Sequence, residues 1–200
     1  MHKLSDVEAC GGYSVAMADP AWSYVQQGRG VAENHYRTMP VAEVQALPIS
    51  RLMSRDAVLF LWGTWPQLPV VLATGAAWGF EYKTCGFVWV KYHEGSEKRC
   101  IGGGFWTRAN TEFCLLFTRG DVRRVDATAA RSVRQLIETD DEDKLLLAPR
   151  GRHSEKPAAA RERIVELMGD VPRIELFARQ KVEGWSAWGN EIDADVDFGK

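Results

Sequence analysis

The stretch Tyr13–Trp22, YSVAMADPAW, decides how the rest of the chain is read. An apolar run from Tyr13 to Ala18 carries no charge and stops at Asp19-Pro20. Such a run reads as a strand buried on both faces and ended by proline. Strands of this kind belong to mostly parallel sheets with helices above and below. Ligands in those sheets sit beyond the carboxyl ends of the strands. Asp19, Pro20, Ala21 and Trp22 therefore leave a strand at the edge where chemistry is done.

Working outward, Ala57–Trp62 (AVLFLW) repeats the pattern as a second buried strand. Between them, Val41, Val44, Leu47, Leu52 and Met53 predict a helix and a shorter one after the break at Pro48. Pro66–Trp78 opens on proline and predicts a helix ending at Gly79. Phe80–Lys91 and Glu112–Arg119 are rich in aromatic and β-branched residues and predict strands, the second closed by Gly120. Pro157–Met168 predicts an amphipathic helix, Arg173–Ala178 a strand, and the acidic tail after Glu191 a frayed end. Strands alternating with helices argue for an α/β sandwich. The length of 200 residues suits a single domain over 1–200, with loop insertions at about 93–111 and 120–152. The first insertion holds Gly95 and Gly102 to Gly104. In the second, residues 119–134 hold five Arg and two Asp, and residues 138–143 five acidic residues, which reads as a solvated helix followed by an acidic turn.

Composition narrows the function. The chain has 25 Lys plus Arg against 27 Asp plus Glu, a formal charge of −2 and a pI near 6.1. That excludes a uniformly basic nucleic-acid binder and leaves room for a local patch. Cys10, Cys85, Cys100 and Cys114 form no CxxC pair, and no His pair completes a set, so neither a zinc site nor a disulfide framework is expected. Reduced thiols, the lack of an apolar run at the N-terminus, and apolar stretches too short to span a bilayer point to a cytoplasmic protein off the membrane. Eight Trp raise the question of flat surfaces for a planar ligand.

Asp19-Pro20-Ala21-Trp22 sets a carboxylate, a rigid turn and a flat ring side by side. That suits a planar base with an exocyclic amine. Asp19 and the Pro20 carbonyl would accept the two amine hydrogens, and Trp22 would stack on the ring. The lone pair of such an amine is delocalised into the ring. Holding both hydrogens favours a pyramidal nitrogen, its lone pair aimed at an electrophile, with acceptors ready for the developing positive charge. Glu112 and Arg108 are a candidate structural ion pair beside the glycine loop.

Further motifs follow in order: HYRTM at 35–39, LFLWGT at 59–64, WGF at 78–80, FVWVK at 87–91 and GGGFWTRANTEFCLL at 102–116. HSEKP at 153–157, ELFAR at 175–179 and GWSAWGNE at 184–191 complete the set. Together with ADPAW at 18–22, this order and spacing resembles the MTA-seventy-like family of adenine-N6 methyltransferases, which use S-adenosylmethionine. The resemblance implies a Rossmann-like methyltransferase sandwich with permuted motif order, Arg173–Ala178 being the cofactor strand. It implies a catalytic set of Asp19, Pro20, Trp22 and Tyr36, the last beside the target base. It implies cofactor contacts from Asp19, from Lys156 to the cofactor's carboxylate, from Phe177 and Arg179 along the adenosine, and from Asn190 and Glu191 to the ribose and adenine. Where the family has a second proline, this chain has Ala21, which leaves φ unfixed.

The implied substrate is DNA adenine, with RNA adenine as the alternative. A base in a duplex must be flipped out, or the enzyme must act on single strands. Phosphate contacts must be local in a chain this acidic. Candidates are Lys98, Arg99 and Arg108 in the first insertion and Arg119, Arg123 and Arg124 beyond it, with Arg131 and Arg134 further on. A homodimer or a paired subunit is an implied partner. A catalytically weak subunit that only binds nucleic acid is the competing reading, and Asp19, Pro20, Trp22 and Lys156 argue against it.

Overall fold

A computed structural model describes residues 2–22, 38–91, 106–125 and 156–198. In chain order these form β1 (His2–Lys3), α1 (Leu4–Ala9), β2 (Tyr13–Ala18), α2 (Val41–Ala46), α3 (Ile49–Leu52), β3 (Met53–Gly63) and α4 (Leu68–Ala77). Then come β4 (Glu81–Val90), β5 (Thr111–Arg119), α5 (Ala158–Met168), β6 (Arg173–Leu176), β7 (Ser186–Trp188) and β8 (Val196–Asp197). Six strands make one sheet in the order β4-β5-β3-β2-β6-β7. The run β3-β2-β6-β7 is parallel, and β5 and β4 add an antiparallel flank.

The alternation of side chains along each strand sorts the core into two layers. On one face, Ala16, Ala18, Leu59, Leu61, Ile174 and Leu176 pack under α1 to α4. On the other, Val15, Met17, Val58, Phe60 and Trp62 pack under Ala160 and Ile164 of α5. Both faces are covered, as the buried run at 13–18 requires. Leu61, Ala18, Leu176 and Trp188 lie level across four parallel strands. The next residues, Trp62, Asp19, Phe177 and Gly189, therefore share one edge of the sheet. The amino end of β5 and the carboxyl end of β4 join them there, because Gly63 pairs with Phe113 and Thr111 with Val90.

Three expectations are corrected. β3 begins at Met53, ahead of the apolar run at 57–62. β6 stops at Leu176, because Phe177 turns into the left-handed region at φ 62°. The tail does not fray through its described length. The Asp195 carboxylate accepts from the Ala187 N–H at 2.9 Å and from Lys181 Nζ at 2.6 Å. Val196 is buried, and β8 pairs in parallel with β1. Charge density alone suggests a solvated tail; it does not show that one of its carboxylates has two donors waiting. Elements β1, α1, β7 and β8 are additional to those read from the sequence. Residues 93–105 of the first insertion, with its glycines, and residues 126–152 of the second, including the acidic run, lie outside the described residues. No described helix is long and apolar enough to cross a membrane.

Candidate active site

Four charges of alternating sign line up on the shared edge. Lys91 Nζ donates to Glu112 Oε1 at 2.5 Å. Lys156 Nζ donates to Asp19 Oδ2 at 2.6 Å and lies 3.3 Å from Glu112 Oε2. The alternation of the strands explains the meeting. Asp19 follows Met17 on the α5 side of β2, and Glu112 follows the same side as Cys114 on β5. Lys156 comes just ahead of Pro157, the residue that caps α5. Lys156 and Glu112 are 7% and 8% exposed, so the network is shielded from water and its charges interact strongly. The Lys156 ammonium also lies 5.7 Å from the centre of the Trp62 ring.

The electrostatics follow from burial and neighbours. Burial works against the charged form of Lys156, but Asp19 and Glu112 outweigh it and raise the pKa above the ordinary lysine value. Lys156 is thus a permanent cation. Burial also opposes ionisation of Glu112, yet Lys156 and Lys91 hold its carboxyl below the usual range. At Asp19 burial wins: despite the adjacent Lys156, and with Glu112 adding its repulsion, the carboxyl titrates above its usual value. Cys114 lies beside this network, and burial pushes its thiol well up, which keeps it an inert core residue.

The turn after β2 is tightly held. The Trp22 N–H donates to the Pro20 carbonyl at 2.8 Å, and the Met39 N–H to the Ala21 carbonyl at 3.0 Å. The Trp22 indole N–H reaches the Trp62 carbonyl at 3.4 Å. Trp22 is only 5% exposed. Here the structure departs from the expected stacking: the Trp22 ring is packed into the core as a clamp between the turn and β3. Pro20 keeps one carbonyl lone pair unused by Trp22.

Along the same edge, Phe177 meets Trp188 edge-on at 5.2 Å. The Ala178 N–H donates to the Trp188 carbonyl at 2.9 Å. A Cβ at Gly189 would lie 2.1 Å from the Ala178 carbonyl oxygen, so only glycine lets the end of β7 pass this close to the turn after β6. Asn190 and Glu191 follow at once and are exposed. Arg179 is near enough to Asp19 to favour its ionised form. These residues fit S-adenosylmethionine. Lys156 brings a buried ammonium to this edge, a charge that suits the cofactor's carboxylate. Glu191 and Asn190 can take ribose hydroxyls from the rim.

Other expected site residues fare differently. Tyr36, Lys98 and Arg99 lie outside the described residues, as does the side chain of Arg124. Arg108 is exposed ahead of β5, on the active edge. It is not the partner of Glu112, whose carboxylate is taken by Lys91 and Lys156. Arg119 and Arg123 do not reach the site. β5 runs antiparallel, so its carboxyl end lies at the opposite edge, about 24 Å from Glu112 at ~3.4 Å per residue. There Arg119 Nη1 donates to the Ser50 carbonyl and Arg123 chelates Asp121. Lys91 and the role of Glu112 were not anticipated. The signal was present in one strand that ends on a positive charge and the next, which begins on a negative one, FVWVK and NTEF.

Comparison with known proteins places these features. The MT-A70 family profile matches residues 13–191. The chain is 35% identical over 199 residues to the Type II methyltransferase M.MunI of Mycoplasma sp, covering 90% of this chain and 78% of that protein. It is 28% identical over 191 residues to the human N(6)-adenosine-methyltransferase catalytic subunit METTL3, covering 94% of this chain but 30% of that one. It is 24% identical over 192 residues to the human N(6)-adenine-specific methyltransferase METTL4, covering 37% of its length. The edge that gathers Asp19, Lys156, Phe177 and Glu191 falls wholly inside the matched span, and the chain belongs to the MT-A70 family, the MTA-seventy-like family that its motifs resemble.

Proposed function

We propose that this protein transfers a methyl group from S-adenosylmethionine to the N6 amine of adenine in DNA. The observation that carries the reading is the pair formed by buried Lys156 and partly exposed Asp19, set beside the Pro20 carbonyl at the carboxyl end of β2. When bound, the cofactor supplies a methyl carbon activated by a positively charged sulfur. The chain's own residues do the rest. Lys156 holds Asp19 by one oxygen and leaves the other to accept an amine hydrogen. The free lone pair of Pro20 accepts the second hydrogen. Positive charge develops on the amine nitrogen as it gains a carbon, and both acceptors stabilise it. The surplus proton then leaves toward Asp19, whose raised pKa makes it a better proton acceptor than an ordinary aspartate. Trp22 keeps the turn in place, and Tyr36 stands beside the base. Lys156 meets the cofactor's carboxylate, Phe177 and Arg179 line its adenosine, and Asn190 and Glu191 take the ribose and adenine.

In this reading the 200 residues serve as one catalytic domain, acting in the cytoplasm, where Cys10, Cys85 and Cys114 remain thiols. Arg108, with Lys98 and Arg99, meets substrate phosphates; a second copy or a paired subunit supplies contacts that these few cations do not. DNA is preferred to RNA because the relative matched over most of its length is named a Type II methyltransferase. The RNA reading draws on METTL3, of which the chain spans less than a third.

Mass spectrometry of nucleosides from cells expressing the protein should find N6-methyladenine in DNA. Asp19→Asn should lower the methylation rate at least 100-fold while cofactor binding, followed by calorimetry, persists. Purified protein that binds the cofactor but modifies neither DNA nor RNA would establish the weak-partner reading instead.

A further inference from the structure

Three large apolar side chains stand exposed among the described residues: Trp65, Tyr82 and Trp106. Tyr82 pairs with Phe117, toward the far edge of the sheet. Both tryptophans stand on the active edge. Trp65 follows the end of β3 by two residues, and Trp106 precedes β5 by five. Burying an indole is worth a few kcal/mol of apolar transfer, so two indoles left open on one functional edge call for a partner.

Trp65 is 49% exposed and nevertheless fixed. Its indole N–H donates to Thr111 Oγ1 at 2.8 Å, and its ring meets Phe113 edge-on at 5.0 Å. Pro66 follows it inside a single 3-10 turn, Trp65–Gln67, closed by the Gln67 N–H to the Thr64 carbonyl at 2.8 Å. A tethered ring with half its surface in water loses little freedom when a flat ligand lies on it, which is what a stacking platform requires.

We infer that Trp65 is the stacking platform for a nucleotide flanking the adenine that enters the Asp19 site. This rests on the adenine methyltransferase reading. Trp62 is level with Asp19 on the neighbouring strand, and Trp65 comes three residues later, about 10 Å along at ~3.3 Å per residue. Thr111 and Phe113, which hold Trp65, alternate with Glu112, so Trp65 lies on the other side of β5 from the Lys156 network. A nucleic-acid strand that lowers one adenine toward Asp19 must cross this edge. Its next nucleotide then passes over Trp65, with exposed Arg108 on the same edge to meet phosphate. A base freed from its own stack by extrusion of its neighbour regains a stacking partner on the indole.

The test uses the intact protein and single-stranded oligonucleotides with one adenine, an abasic residue being placed in turn at each neighbouring position. Affinity is read by fluorescence anisotropy and methylation by mass spectrometry. On the intact oligonucleotide, Trp65→Ala should bind about 5- to 150-fold more weakly than wild type. Wild type should lose a similar factor at one abasic position, and Trp65→Ala should be indifferent to that position. Trp65→Phe should keep most of the affinity. Trp65→Leu, which preserves apolar packing on Phe113 without a π face, should lose it, and thermal melts confirm that each variant is folded. The assignment is overturned if wild type methylates adenine and Trp65→Leu binds equally well, or if variant and wild type lose the same factor at every abasic position. A wild type that transfers no methyl to adenine overturns the function, and this assignment with it.

Discussion

Ala21 is where the chain departs from the two-proline pattern, and the structure shows what replaces the second ring. The Trp22 N–H bonds back to Pro20, two residues away, which closes an inverse γ-turn centred on Ala21. The turn is further tied by the Met39 N–H on the Ala21 carbonyl and by the Trp22 indole on β3. Hydrogen bonds thus do the work that a second pyrrolidine would do by fixing φ. The central φ of such a turn is near −75°, close to what proline imposes. Ala21→Pro should therefore stabilise the fold by about 0.4–1 kcal/mol through the unfolded chain, seen as a higher denaturation midpoint. It should leave the methylation rate within a few-fold of wild type. A large gain in rate would mean that the hydrogen bonds alone do not organise the turn.

At the scale of elements, α5 is the piece that completes the site, since Lys156 stands just ahead of it. Its anchor is Arg161, whose Nε and Nη2 reach Glu175 of β6 at 2.6 and 2.8 Å in a buried, two-pronged pair. Breaking one partner strands the other charge in the core. Glu175→Gln or Arg161→Met alone should cost about 3–5 kcal/mol in chemical denaturation, while Arg161→Met with Glu175→Leu should recover most of it. Much of this architecture was legible in advance. YSVAMA gave β2 to the residue, and PAAARERIVELM gave α5, because apolar periodicity reports burial directly. The end of β6 was not legible, since a left-handed Phe177 breaks no propensity rule that a sequence displays. Nor was the pairing of Glu112: hydrophobic pattern sets which strands exist, whereas register sets which charges meet. The same gap put Arg119 and Arg123 near the substrate, because a basic cluster does not reveal that its strand runs antiparallel.

For the whole molecule, the charge network ties stability to pH. Glu112 titrates below 4.5 when folded, so its ionised form stabilises the protein above about pH 4.5, and this is lost as pH falls through the lower folded value. Asp19 runs the other way. Burial raises its pKa above 3.8, so its ionised form costs stability at neutral pH and acid relieves that cost. Glu112→Gln should lower stability by about 3 kcal/mol at pH 7, since the buried Lys156 ammonium and the partly exposed Lys91 lose a counter-charge. The difference from wild type should shrink below pH 4.5 in denaturant titrations; a difference that stays constant down to pH 3 would contradict the assignment.

The sheet order carries a consequence for how the chain comes to be made. β2 lies between β3 and β6, yet β6 is translated about 160 residues after it, and the Asp19–Lys156 contact spans 137 positions. While the ribosome is still extending the chain, β2 has one open edge, a hydrophobic template for pairing with other chains. The nascent chain is thus exposed to aggregation until β6 has emerged, and no methyl transfer can begin before Lys156 and β6 have closed the site.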